Sequence, residues 1–237
     1  MFRNIVLSAF GAALVVCVVV SALQFFTTEP LILHAEQFEG GGEGDPGHHH
    51  DAAAPAHDHG DAAEAEAGEW GPSGGFERTA YTVLANLLIG AAVSLILLAL
   101  MVLKGDRIDA RHGLLWGAAG FVAASLMPAL GLPPELPGTP AGDLADRQLW
   151  WLATAVASAA GIALIAFGRH AGLKLAGLAL MVLPHVIGAP LPPGHEVDYP
   201  GALAGEFVIA SLVVSAVLWT LAGTCVGWLH ERLSRAI

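Results

Sequence analysis

Charge is scarce in this chain. Only 13% of its 237 residues are Asp, Glu, Lys or Arg, against roughly a quarter in a soluble domain, so an ordinary solvated surface is excluded. Cysteine is scarcer still: Cys17 and Cys225 both lie in apolar runs, where a disulfide framework has no purpose and small packing residues are expected. No GxxxxGK[ST] loop is present to hold ATP phosphates, so the chain is not itself an ATP-driven motor. Ten basic residues stand against 21 acidic ones, a net charge of −11, and no nucleic-acid partner is expected. What fills the space is apolar: 55% of the residues are hydrophobic and the mean hydropathy is +0.63. These values describe an integral membrane protein surrounded by lipid.

Six continuous apolar runs, at about Ile5 to Phe26, Tyr81 to Leu103, Gly113 to Leu132, Leu149 to Phe167, Gly172 to Ala189 and Ala202 to Trp228, each approach the ~20 residues of a spanning helix. The expected fold is all-α, a polytopic transmembrane bundle of about six spans, residues 1–237 forming one membrane domain. Only Gly168 to Ala171 divides the fourth run from the fifth, so five spans, or a re-entrant hairpin that leaves four, stay open. A secretory signal is the rival reading of the first run, with Arg3, Ser21 and Ala22 as its marks. Its apolar stretch is longer than an h-region and favours an uncleaved anchor.

With six spans and a cytoplasmic N-terminus, Arg3, Lys104, Arg107, Arg111, Arg169, Lys174, Arg232 and Arg235 fall inside, leaving Arg78 and Arg147 outside. Both termini are then cytoplasmic. Most acidic residues lie outside, where their field concentrates cations. Tyr81, Trp150, Trp151 and Tyr199 fit an outer aromatic belt, and Trp116 and Trp228 an inner one; Trp219, in mid-helix, fits neither. Small-xxx-small pairs at Gly113 and Gly117, Gly201 and Gly205, and Gly223 and Gly227 suit close helix packing.

Residues 27–80 form the only long polar stretch, with the glycine and alanine-glutamate composition of a flexible acidic extracytoplasmic tether that builds no core. Within it, HHHDAAAPAHDHGD places His48, His49, His50, His57 and His59 beside Asp51, Asp58 and Asp61, with no Lys or Arg to compete. Neutral imidazoles bind divalent transition metals, and carboxylates neutralise the ion and orient the rings. A mobile segment of this kind suits capture and release; an inert histidine-rich linker is the bland alternative.

Two further sets lie near the outer face. Glu29, His34 and Glu36 follow the first span, where Pro30 is expected to stop the helix and hold Glu29 at the membrane surface. Pro184-His185 occupies the outer third of the fifth span, and Glu206 begins the sixth. Ionisable groups at membrane depth are functional candidates. Glu29, His34, His185 and Glu206 are compatible with one shared metal site at the outer mouth. A structural histidine and a solvated helix N-terminus are the plainer readings of His185 and Glu206. Four prolines stiffen the loop after the third span and hold Glu135 over the bilayer; Arg147 can pair with a nearby acid, and the loop reads as a packed lid or as a ligand source.

EPLILHAEQFE after the first span, PALGLPPELPG with DRQLWW, and PHVIGAP before the last span resemble the CbtA family of predicted cobalt transporters, which are bacterial membrane proteins. The resemblance covers nearly the whole chain. It implies a non-enzymatic role in cobalt uptake linked to cobalamin synthesis in the bacterial inner membrane. It also implies a small single-span partner like CbtB, with cobalt or a related divalent cation as cargo and no permanent cofactor.

Cobalt rests on that resemblance alone, since histidine and carboxylate sites bind nickel and copper more tightly. Inward movement of a divalent ion releases about 4.6 kcal/mol per 100 mV of membrane potential, twice the ~2.3 for one charge. This leaves room for a separate energy-coupling partner without requiring one. Two other classes stay open: a membrane-tethered metal receptor or accessory protein with no path of its own, and a haem or quinone redox protein. The last would want paired intramembrane histidines, and His185 is the one available.

Overall fold

The computed structural model describes residues 2–39, 75–105, 107–192, 194 and 196–235, and among these described residues there are seven helices and no strands. They are α1 (Phe2–Phe26), α2 (Thr28–Glu39), α3 (Phe76–Lys104), α4 (Ala110–Ala129), α5 (Leu144–Phe167), α6 (Ala171–Ile187) and α7 (Gly201–Arg235). Five are long and apolar enough to cross a membrane: α1, α3, α4, α5 and α7. At 17 residues, α6 is shorter, yet at 1.5 Å per residue it covers about 26 Å, near the thickness of the hydrocarbon core.

Asn4 near the start of α1 donates to the Leu233 carbonyl near the end of α7, so both termini share one end of the bundle. An even number of crossings follows. Helix α5 runs down to this end, where Phe167 meets Trp116 and Lys104. Helix α6 then returns beside it, with Gly177 against Gly161 and His185 against Trp150. Six helices thus run alternately between the two ends of the bundle, five with the length of a span and α6 the shorter sixth. Gly105 at φ 75° closes α3, its N–H donating to the Met101 and Val102 carbonyls, while Asp109 and Asp143 cap α4 and α5 by accepting from the N–H groups of His112 and Asp146.

The tightest packing is the crossing of α4 on α7. A Cβ on Gly113 would sit 2.0 Å from the Gly223 carbonyl oxygen, and one on Gly223 would sit 2.1 Å from that of Gly113. Gly117 and Gly227 press equally on the carbonyls of Trp219 and Asp109. Two of the three small-residue pairs thus serve one backbone-to-backbone contact. The third differs: Gly201 and Gly205 face open space. Trp219, misplaced for a belt, lays its ring where a Cβ of Gly120 would be, 2.4 Å from it, and so belongs to the same crossing. Around it, Val16, Val20, Val93, Leu97, Val214 and Ala222 form one apolar core, and Ala12, Leu98, Met101 and Val226 another.

The expected tether is corrected at both ends. Thr28–Glu39 is helical, and Phe76–Ala80 is already the first turn of α3. Helix α2 also builds a core, for Ala35 is buried with Leu136, Tyr199, Leu203 and Phe207. Its apolar Leu31, Ile32, Ala35 and Phe38 recur at helical spacing, the signal that overall composition hid. Pro30 does not end the chain's helical course. The break falls at Thr27, and Pro30 sits in the first turn of α2, where its missing N–H leaves no helical bond unmade. Residues 40–74 lie outside the described residues.

Candidate metal-handling sites

At the end of the bundle opposite the termini, α2 packs on α1 and on the start of α7 and is tied to α3 by an ion pair. A cavity of about 140 Å³ opens there, lined by Ser21, Gln24, Thr28, Glu29, Arg78 and Thr82 among others. Arg78 on α3 grips Glu36 on α2 through both carboxylate oxygens, at 3.2 and 2.5 Å. The hydrogen bonds from Arg78 hold the Glu36 carboxyl below the usual carboxylate range, against the opposing effect of burial. Its lone pairs are thereby engaged. Below the cavity, buried Asn86 donates to the Ser21 hydroxyl at 2.9 Å and to the Gln24 amide oxygen at 2.6 Å, a satisfied polar link between α1 and α3.

Glu29 lines this cavity. His34 is exposed on α2, its ring 5.5 Å from that of Phe38. Glu206 is exposed in the second turn of α7, as a solvated residue near a helix N-terminus would be. His185 is elsewhere, on α6, whose packing partner is α5. Its Nε2 is buried without a hydrogen-bond partner, and its ring stands edge-on to Trp150 at 5.7 Å. Among the described residues, no three His, Cys, Asp or Glu side chains gather closely enough to hold a metal ion. The four-residue mouth expected from Glu29, His34, His185 and Glu206 is therefore not assembled: α6 leans on α5, while the other three belong to α2 and α7. His48, His49, His50, Asp51, His57, Asp58, His59 and Asp61 lie outside the described residues.

The loop after α4 is a packed lid. Leu136 is 3% exposed beneath α2, Thr139 shares a 2.5 Å hydrogen bond with the Tyr199 hydroxyl, and Arg147 pairs with Glu135 at 2.5 Å. At the termini end, a cavity of about 420 Å³ lies between Arg107, Asp109, His230, Glu231 and Arg235. Asp109 accepts from the His112 backbone N–H and lies 2.9 Å from that residue's Nδ1. These two contacts hold the Asp109 carboxyl below its ordinary range. Sequence reasoning placed Trp150 only in the aromatic belt and passed over Thr154 and Ser158, which follow it on α5 at four-residue spacing.

Apolar helices, shared termini and polar groups at membrane depth define a polytopic helical membrane protein. The sequence profile of the family described as "Probable cobalt transporter subunit (CbtA)" matches residues 2–231. The chain belongs to that family. No curated protein matches it, and no solved structure does.

Proposed function

We propose that this chain is the translocating subunit of a cobalt uptake system in a bacterial inner membrane, with both termini in the cytoplasm and α2 on the opposite face. The carrying observation is the family match over nearly the whole chain. Charge asymmetry supports the orientation: the helix ends that meet at the termini hold Arg3, Lys104, Arg107, Arg111, Arg232 and Arg235, as cytoplasmic ends do. In this reading the histidine-rich segment between α2 and α3 captures Co²⁺, and the bundle passes it inward along the membrane potential. A small single-span protein of the CbtB kind assembles with it.

A receptor reading has one observation in its favour, the lack of a gathered three-ligand group among the described residues. Uptake of radiolabelled cobalt by cells expressing the chain, with and without the partner, separates the two. Saturable uptake that needs this chain supports translocation; metal bound at the surface with none inside supports the receptor. A cysteine placed at position 53 should react with an impermeant thiol reagent in intact cells, and protection until lysis would reverse the orientation.

A further inference from the structure

Six buried side-chain polar atoms lack a hydrogen-bond partner among the described residues, and four of them belong to one helix pair: Trp150 Nε1, Thr154 Oγ1, Ser158 Oγ and His185 Nε2. Trp150, Thr154 and Ser158 recur every four residues and so form a single stripe along α5. Thr154 and Ser158 are both 0% exposed. The stripe continues to Gly161, where a Cβ would lie 2.5 Å from the Gly177 carbonyl oxygen of α6, and His185 joins it from α6 beside Trp150.

The hydroxyl rotamers are informative. Elsewhere in the bundle Ser8, Thr82, Thr220 and Thr224 fold back onto the carbonyl four residues earlier, at 2.5, 2.9, 2.6 and 2.7 Å. That back-bond is the default for a helical hydroxyl with no other partner. Thr154 and Ser158 do not make it, nor does buried Ser94 on α3, and nothing among the described residues receives their hydroxyls. Unpaired polar atoms at membrane depth are unfavourable unless they face a polar occupant.

The facing backbone is opened at the same level. Residues Val122–Leu126 of α4 form a π-turn that packs on α5, with the Met127 N–H donating back to the Val122 carbonyl in the wider register. Pro128, which follows, has no N–H to offer the Ala124 carbonyl. Because Gly131 abuts the Trp150 ring and the two helices run antiparallel, the π-turn stands level with Thr154 and Ser158. π-Turns concentrate at functional sites.

We propose that the Trp150–Thr154–Ser158–His185 stripe is the path by which a partly hydrated divalent transition-metal cation enters the membrane-spanning part of the protein. His185 Nε2 supplies the nitrogen ligand. The hydroxyls of Thr154 and Ser158 supply successive oxygens below it. Trp150 Nε1–H is a donor only; it cannot bind a cation or the outward-turned hydrogens of an ion-bound water, and it donates to a water outside the ion's own shell. From Trp150 to Ser158 the path runs about 12 Å at 1.5 Å per residue. It stops where Gly161 and Gly177 bring α5 and α6 into backbone contact, so the described conformation is closed toward the termini, and its polar atoms are shielded from solvent. This inference rests on the transport reading and names its route.

The test uses the full chain in two arms. In cells with the partner, Thr154→Val combined with Ser158→Ala should lower the maximal rate of radiolabelled cobalt uptake at least tenfold. Thr154→Ser, which keeps the hydroxyl, should recover most of the rate lost in Thr154→Val alone. In lipid nanodiscs, with His48, His49, His50, His57 and His59 replaced by Ala to silence the loop, cobalt(II) chloride is titrated and read by cobalt ligand-field absorption. His185→Ala and His185→Gln should each weaken binding at least tenfold while eluting as monodisperse protein. An undiminished maximal rate in the Val/Ala pair, or unchanged cobalt affinity in both His185 variants, overturns the path. If the parent chain moves no cobalt, the transport reading fails by itself; the nanodisc arm then still decides whether His185 holds the metal.

Discussion

The α4·α7 crossing and the α5·α6 hairpin are both glycine-mediated helix contacts, yet they are built to opposite ends. In the first, four glycines bring two backbones together, and the hydroxyls of Thr220 and Thr224 on α7 bond to their own helix. In the second, one glycine pair closes the contact at the termini end, and above it the buried polar atoms of Trp150, Thr154, Ser158 and His185 have no partner among the described residues. A dry, satisfied interface fixes two helices in one arrangement, because any shift breaks close packing. An unsatisfied one gains from admitting a polar guest. The two regions thus divide into scaffold and route.

The largest effect should come from breaking the scaffold. Gly223→Leu drives a side chain into the Gly113 backbone, so overpacking should destabilise the bundle by about 3 kcal/mol or more. Gly205→Ala meets nothing within 4 Å and should change unfolding in detergent very little. Equal losses at the two positions would mean that the crossing holds no special place.

The route should respond in the other direction. An unmade hydrogen bond at a buried hydroxyl costs about 1–3 kcal/mol. Thr154→Val with Ser158→Ala should therefore raise thermal stability by about 1–2 kcal/mol, the midpoint measured on purified protein, while uptake falls. A destabilised double variant would show that the hydroxyls serve the fold.

The capture segment should matter less. Replacing His48, His49, His50, His57 and His59 with Ala should reduce cobalt uptake several-fold at scarce metal and leave the saturated rate unchanged, since a chelator outside the path raises local concentration without forming it. Loss of uptake at every concentration would place those residues in the route.

Smallest is the clasp between α2 and α3. A half-exposed ion pair contributes roughly 0.2–1 kcal/mol, so Glu36→Gln should lower stability by no more than that. Because Arg78 holds the folded-state carboxyl below its ordinary value, its contribution is present above the unfolded pKa and lost as pH falls through the folded one. The difference between parent and Glu36→Gln should be full near neutral pH and vanish in acid below the ordinary carboxylate range. A gap that persists there would remove the ion pair as its cause.

Much of the fold was legible in the sequence because lipid imposes one solution on long apolar runs: internally bonded helices. The helical state of the apolar runs follows from that constraint, the shared end for the termini from the placement of the basic residues, and the packing of Gly113, Gly117, Gly223 and Gly227 from their small-residue spacing. Helix α2 was hidden because charged and apolar residues alternate around it, so its average composition resembles the polar segment beyond. The candidate site was less legible. A histidine in an apolar run is visible, and His185 stands out on that ground; the side of the bundle it faces depends on how α6 leans on α5, which no spacing reveals. Thr154 and Ser158 resemble packing residues in sequence, and only their unbonded rotamers distinguish them from Thr220 and Thr224.

The most direct measurement is cobalt flux into proteoliposomes holding the purified chain and its partner, driven by an inside-negative potential and read by quenching of a trapped metal-sensitive dye. The account predicts saturable, potential-dependent quenching that the loop variant keeps at high cobalt and the Thr154→Val, Ser158→Ala variant loses at least tenfold. Equal flux through the parent and the double variant, under the same potential, would contradict it.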